Sequence, residues 1–282
     1  MELWLLFCTI SCFSYAVSTS IDKYMMNLKY EVISTNVFKA LFNGMIVLTI
    51  GLIFFNFTGN FSLLMLVPGA IYAFSTLIYY TAIKLQDVGE IIPFYQSLGI
   101  LFIFLSSVIV FNEFVSVYNY MGIILILIGV YLVLSKDVLK IPKFGRGSLL
   151  ILLLLPTDVI SALLVKKLLY NFEPINLAIV MYFSATLFLI CFQILYRKHS
   201  SDIITNLRAR VPKIASASFF GAIGTIFLYS ALSLGYASKV YPIAGLTSIF
   251  IFIIAFFFLK EKFYWYRLIG IVFAFFGIYL IS

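Results

Sequence analysis

Long apolar stretches separated by short polar connections run through all 282 residues of the sequence. Ten stretches approach the roughly 20 residues that an α-helix needs to cross a bilayer. The predicted spans are residues 3–25, 33–56, 62–84, 88–111, 116–136, 148–168, 175–196, 212–234, 238–259 and 264–282. The longest connection, Arg197 to Pro212, is too short to fold alone. The pattern therefore predicts an all-α polytopic membrane protein with ten transmembrane helices.

One motif, Glu-x4-Tyr-x3-Gly-x6-Gly-x-Tyr-Leu, occurs twice with an offset of 148 residues. The first copy contains Glu113, Tyr118, Gly122, Gly129, Tyr131 and Leu132, and the second Glu261, Tyr266, Gly270, Gly277, Tyr279 and Leu280. The recurrence indicates a tandem duplication, with repeats at 1–137 and 146–282. Each repeat holds five predicted spans, and because five is odd, the second must insert upside down. The sequence thus predicts two inverted five-helix repeats.

Composition supports this assignment, since 63% of the residues are hydrophobic and 11% are charged, against about 25% charged in soluble proteins. The net charge of +8 arises from basic residues in the loops, which favours a role in membrane topology over nucleic-acid binding. Of 19 Lys and Arg, 15 fall on one predicted side and three on the other, and Lys39 lies within a span. The positive-inside rule places the first side, with the loops at 136–146 and 197–213, in the cytoplasm.

The duplicated segments resemble the EamA-type drug/metabolite transporters over essentially the whole chain. The motif elements are Tyr80-Thr81-Ala82-Ile83, Asn112-Glu113, Gly122 to Leu132, Tyr229-Ser230-Ala231-Leu232, Lys260-Glu261 and Gly270 to Leu280. The resemblance implies alternating access, a central cavity between helices 1–4 and 6–9, and export. It also implies that both termini are cytoplasmic, which is opposite to the Lys and Arg count. The family's mid-helix proline is replaced here by Gly99 and Ser248.

Asp158 and Lys39 are the charged candidates for substrate binding or coupling. Asp158 lies near the middle of the sixth span and Lys39 about six residues into the second. A charge at that depth is costly, so Asp158 should find a partner, bind a proton or bind a substrate amine. The two depths differ by roughly 6 Å, which permits an ion pair. The alternative for Lys39 is that it extends toward the cytoplasm.

Other candidate substrate contacts are polar or aromatic residues of the central helices: Tyr15, Tyr80, Tyr95, Gln96, Tyr182 and Tyr229. Packing is the alternative for each tyrosine. Pro93 and Pro242 occupy matching positions and are candidate helix breaks beside the cavity, or simple kinks. Glu113 and Glu261 precede helices whose positive ends a carboxylate would stabilise. The paired glycines predict close helix packing.

No enzyme, cofactor or metal site is predicted. The single histidine, His199, lies in a loop, and no phosphate-binding loop, metal cluster or catalytic triad can be assembled. The three cysteines lie inside apolar spans without metal spacing. The expected partners are the lipid bilayer of the inner cell membrane, a small-molecule substrate and a coupling proton, but no nucleic acid. The alternatives are a flippase for an amphipathic lipid or lipid carrier, and an integral-membrane enzyme or structural protein.

Overall fold

The computed structural model describes residues 2–27, 32–55, 60–85, 88–135, 145–195, 207–259 and 264–281. These residues form eleven α-helices, and a 3₁₀ turn at Leu63–Met65 precedes the third. The helices are α1 (Leu3–Asn27), α2 (Val32–Phe54), α3 (Leu66–Leu85), α4 (Val88–Phe111), α5 (Val117–Leu134), α6 (Arg146–Leu168), α7 (Pro174–Leu195), α8 (Leu207–Leu234), α9 (Ala237–Ala244), α10 (Thr247–Leu259) and α11 (Trp265–Ile281). The predicted all-α class is confirmed.

The helices have the length and composition of membrane spans. In the part of the chain that is described, six segments are long and apolar enough to cross a membrane: Leu3–Asp22, Ile33–Phe54, Arg146–Leu168, Pro174–Leu195, Arg210–Leu234 and Ala237–Ile254. Four shorter apolar segments accompany them: Leu63–Tyr79, Tyr95–Phe111, Val117–Val133 and Trp265–Ile281. Large apolar side chains such as Phe54, Phe114 and Trp265 are exposed, as expected of surfaces that face lipid rather than water.

The paired glycines of the duplicated motif form the contact between α5 and α11. A Cβ added at Gly122 would lie 2.6 Å from the carbonyl oxygen of Gly277, and one at Gly129 would lie 2.5 Å from that of Gly270. Only glycine permits this approach of two backbones. Because the lower-numbered glycine of one helix meets the higher-numbered glycine of the other, the two helices are antiparallel.

Other contacts between the halves also define helix direction. The Ser11 hydroxyl of α1 donates to the Gly224 carbonyl of α8 (2.8 Å), and Ser18 donates to Ala217 (2.8 Å), so α1 and α8 are antiparallel. The Cys8 thiol contacts the Val240 carbonyl of α9, and the Cys12 thiol contacts that of Ile243. The residue numbers increase in the same direction along both helices, so α1 and α9 are parallel. These directions agree with spans that alternate in direction along the chain.

The ninth predicted span is divided, whereas its counterpart in the first half is continuous. α9 ends at Ala244 and α10 begins at Thr247. Pro242 lacks the N–H that would bond to the Ser238 carbonyl. Three residues later the helix tightens, since the Gly245 N–H donates to the Pro242 carbonyl (3.1 Å). α4 instead runs without interruption through Pro93. Pro93 is the sixth residue of α4, just as Pro242 is the sixth residue of α9, so the proline alone does not explain why only the ninth span is divided.

Candidate functional site

A cavity of about 420 Å³ lies between the two halves. Eight helices line it, α1–α4 from the first half and α6–α9 from the second. Its polar and aromatic lining comprises Tyr15, Ser18, Thr19, Lys39, Asn43, Tyr72, Ser75, Asp158, Ser161, Tyr182, Thr225, Tyr229 and Tyr241. Five of the residues selected from the sequence are in this set: Tyr15, Lys39, Asp158, Tyr182 and Tyr229.

Thr225 of α8 joins two of these tyrosines. Its hydroxyl oxygen is 2.7 Å from the Tyr15 hydroxyl of α1 and also bonds the Tyr182 hydroxyl of α7. Thr225 lies one turn after Gly221 and hydrogen-bonds to the Gly221 carbonyl (3.1 Å). Gly224 provides room for the Tyr15 ring, since a Cβ there would lie 2.9 Å from Tyr15 Cγ. The small residues of α8 therefore form a seam that holds a tyrosine from each half.

Two more tyrosines have their hydroxyls occupied by protein groups. The Tyr229 hydroxyl donates to the Met181 sulfur (2.9 Å), and the Tyr241 hydroxyl donates to the Ala162 carbonyl (3.0 Å). Tyr241 and Tyr72 were not selected from the sequence. Tyr241 could have been found from its place next to Pro242, whereas Tyr72 has no comparable signal among the many aromatic residues.

Asp158 is half-buried and accepts a hydrogen bond from the Tyr95 hydroxyl of α4. The ion pair with Lys39, which the sequence permitted, is not formed in this structure, because Lys39 pairs with Asp22 of α1. Asp22 is five residues before the end of α1, and Lys39 is seven residues after the start of α2. Because the end of α1 and the start of α2 lie on the same side of the membrane, the two charges are at similar depth. Asp158 is twelve residues into α6, which at 1.5 Å per residue is about 8 Å deeper than Lys39.

The remaining selected residues lie outside the cavity lining or outside the described side chains. The Gln96 amide oxygen accepts from the Ser248 hydroxyl, which joins α4 to α10 just after the division of the ninth span. The side chains of Tyr80 and Pro93 are not among those described, and neither is any part of Glu261.

Removing the Asp22 charge should destabilise the protein, because Lys39 would remain charged without a partner. The two side chains are 13% (Lys39) and 19% (Asp22) exposed, so we expect Asp22→Asn to lower the free energy of unfolding by about 2 kcal/mol. Thermal unfolding in detergent micelles measures the loss. The control is the double variant Asp22→Asn/Lys39→Met, which removes both charges and should recover most of it. A double variant no more stable than the single one would contradict the buried pair.

Glu113 lies in the turn between α4 and α5 but acts on the other half of the protein. Its two carboxylate oxygens accept from the backbone N–H groups of Ala237 and Ser238, each at 2.8 Å, at the start of α9. The expectation that Glu113 stabilises the helix that follows it in the chain is therefore wrong, since Ser116 caps α5. Because Glu113 precedes α5 in the sequence, α5 was the expected partner of its carboxylate. The free N–H groups that Glu113 reaches are instead those at the start of α9.

Lys166 of α6 binds the turn between α8 and α9 from the side where α8 ends. Its ammonium group donates to the carbonyls of Leu232 (2.7 Å) and Gly235 (2.9 Å), where α8 ends. A cation thus meets the negative end of α8 and an anion the positive end of α9. Glu113 is 7% and Lys166 4% exposed. The turn between α8 and α9 is therefore fixed by one residue from each half.

Glu113→Ala should destabilise the protein by about 2–3 kcal/mol, because two buried N–H groups lose a charged acceptor. Glu113→Gln retains one amide oxygen as an acceptor and should cost less. Thermal unfolding in micelles ranks the variants against Glu173→Gln, which removes an exposed carboxylate and should be close to wild type. Equal unfolding temperatures for Glu113→Ala and Glu173→Gln would show that the contact does not fix the turn.

Comparison with known proteins agrees with the fold and the duplication. One solved crystal structure aligns with 99% of this chain and 96% of its own, with a TM-score of 0.78 and 14% sequence identity, so the similarity shows a shared fold. No curated protein gives a significant match. The EamA-like transporter family matches at residues 2–135 and again at 145–282, which confirms the resemblance seen in the motifs. The chain belongs to the EamA-like transporter family, and it is a multi-pass membrane protein.

Proposed function

We propose that the protein is a secondary transporter that moves a small organic metabolite or drug-like solute by alternating access. The observation that supports this most directly is the cavity of about 420 Å³ between the halves. Sites for small molecules typically measure about 300–1,000 Å³ and combine apolar walls with a few polar groups. Here both halves supply walls, so a movement of one half against the other changes the cavity.

The proposed architecture is ten transmembrane helices in two inverted five-helix repeats, at 1–137 and 146–282. The six long and four shorter apolar segments supply ten spans, with α9 and α10 forming one of them. The antiparallel crossing of α5 and α11, with Gly122 against Gly277 and Gly129 against Gly270, is what a two-fold axis in the membrane plane requires.

Contacts that join the halves inside the cavity are the ones that alternating access would remake. Tyr95 of the first half bonds Asp158 of the second, and Tyr15 bonds Thr225. Separation of Tyr95 from Asp158 frees a carboxylate at mid-depth, where a proton or a substrate group can bind it. We assign Asp158 as the coupling residue and a proton as the coupling ion. The direction of transport, export across the cell membrane, comes from the family resemblance.

A solute panel tests the proposal. Purified protein in micelles is heated with amino acids, nucleosides, sugars and amphipathic cations, and a ligand raises the unfolding temperature by an amount that grows with its concentration relative to its Kd. The same compounds are then tested for counterflow into proteoliposomes. We expect concentration-dependent stabilisation and saturable counterflow by one chemical class. Stabilisation by no class, together with no counterflow, would contradict a transport function.

The orientation is a separate prediction, because the Lys and Arg count and the family's usual topology disagree. The loops at 136–146 and 197–213 are expected in the cytoplasm, since they concentrate positive charge. Single cysteines placed in each loop, in a Cys191→Ser background, should react with an impermeant thiol reagent only after the cells are permeabilised. Strong reaction in intact cells would show that the loops face outward and that the orientation is the opposite one. Most residues of these loops lie outside the described part of the structure.

A further inference from the structure

We infer that the solute is an organic cation, a small aromatic or apolar body that carries a protonated amine. The inference rests on the proposed transport function and names the substrate class of the same cavity.

The charge of the cavity wall is the first observation. Among the described lining residues, the two charged ones are Lys39 and Asp158. Lys39 is neutralised by Asp22, whereas Asp158 has a neutral partner, the Tyr95 hydroxyl, and none of the described Lys or Arg side chains contacts it. With the Asp158 carboxylate ionised, the described part of the cavity wall therefore carries one uncompensated negative charge. An ammonium group supplies the missing charge and donates hydrogen bonds to the carboxylate.

An unpaired acceptor on α2 is the second observation. Asn43 lines the cavity one turn after Lys39 and is 2% exposed. Its amide oxygen has no hydrogen-bond partner in the described structure. Buried polar atoms are nearly always satisfied, so Asn43 leaves an open acceptor beside the cavity, which a side-chain rotation would offer to a ligand donor. A carboxylate, which offers only acceptors at neutral pH, would leave this acceptor unsatisfied, and carboxylates and phosphates alike would be repelled by Asp158.

The aromatic wall is the third observation. The hydroxyls of Tyr15, Tyr182, Tyr229 and Tyr241 are already bonded to protein groups. Their rings, rather than further hydroxyl donors, are what these tyrosines offer to a solute. Aromatic faces attract cations and stack on other rings. The remaining wall includes Ile71, Ile103 and Leu228, which suits an apolar body and disfavours a sugar.

Four probes that share a phenyl ring and a short chain separate charge from shape. They are phenethylamine, a cation; phenethyl alcohol, which is neutral; 3-phenylpropionate, an anion; and phenylalanine, a zwitterion. Binding is measured by thermal stabilisation in micelles, and exchange is measured by counterflow in proteoliposomes. We expect phenethylamine to bind and exchange best. We expect Asp158→Asn to weaken its binding by about tenfold or more, because a charge-assisted hydrogen bond is lost, and Glu173→Gln to leave it unchanged.

The outcomes separate this inference from the proposed function. Preference for phenethylamine that Asp158→Asn removes supports the inference, and Asp158→Glu, which restores the charge, should recover part of the affinity. Exchange of the alcohol, the anion or the zwitterion in preference to the amine overturns the cation assignment and leaves transport standing. Amine binding that is equal in wild type and Asp158→Asn also overturns it. No stabilisation or exchange by any of the four overturns the cation assignment, and failure of the wider solute panel in addition overturns transport.

Discussion

Asp158→Asn is expected to abolish solute accumulation driven by a pH gradient while leaving the protein folded. Asparagine has nearly the shape of aspartate and can still accept from the Tyr95 hydroxyl, but it neither takes up nor releases a proton. Because the substitution removes a partly buried charge that has no cationic partner in the described structure, the folding cost should be small. Proteoliposomes with an imposed pH gradient measure accumulation, and thermal unfolding measures folding.

Glu173→Gln is the matched control for Asp158→Asn, since it also replaces a carboxylate by an amide, but at an exposed position between α6 and α7. It should accumulate solute like the wild type. Gradient-driven accumulation by Asp158→Asn at the wild-type rate would make Asp158 a structural residue and move coupling elsewhere in the cavity.

Gly129→Ala is expected to cause a clear loss of stability, because the added methyl group has no room between α5 and α11. The new Cβ would lie 2.5 Å from the Gly270 carbonyl oxygen and 2.9 Å from the Ala274 Cβ. The first obstacle is backbone, so α5 and α11 must separate along their contact. Overpacking of this kind typically costs about 1–3 kcal/mol, against the helix-propensity gain of somewhat less than 1 kcal/mol from replacing glycine. Thermal unfolding in micelles should show a clear decrease.

Gly99→Ala is the control for this change, because it makes the same substitution inside α4, where the nearest atom to the new Cβ is Leu155 Cδ2 at 3.8 Å. It should unfold at or above the wild-type temperature. Equal effects of Gly99→Ala and Gly129→Ala would show that the α5–α11 crossing is not closely packed.

The helices and the glycine contact were predictable from the sequence because each depends on a local pattern. A run of about 20 apolar residues is enough to define a span, and two glycines seven residues apart share a helix face. The recurrence of Gly122 and Gly129 as Gly270 and Gly277 then indicated close helix packing at both sites, although not that the two matching helices meet each other.

The partners of the charged residues were not predictable in the same way. Most of these helices are apolar on all sides, so the sequence does not reveal which face meets which neighbour. Depth along the helix was used to pair Asp158 with Lys39, but Asp22 is closer in depth and lies on the adjacent helix. Glu113 was assigned to its own helix, although its partners are 124 and 125 residues away in the chain. Asn43 has no sequence signal of its own.

Two-sided accessibility of the cavity tests the central claim of alternating access most directly. Ser161 lines the cavity one turn after Asp158, and Ser161→Cys in a Cys191→Ser background gives one accessible thiol, since Cys8 and Cys12 are buried. An impermeant thiol reagent is applied to right-side-out and to inverted vesicles in separate reactions. Alternating access predicts labelling from both faces, slowed by a bound solute in each case. Labelling from one face only would contradict a transport cycle.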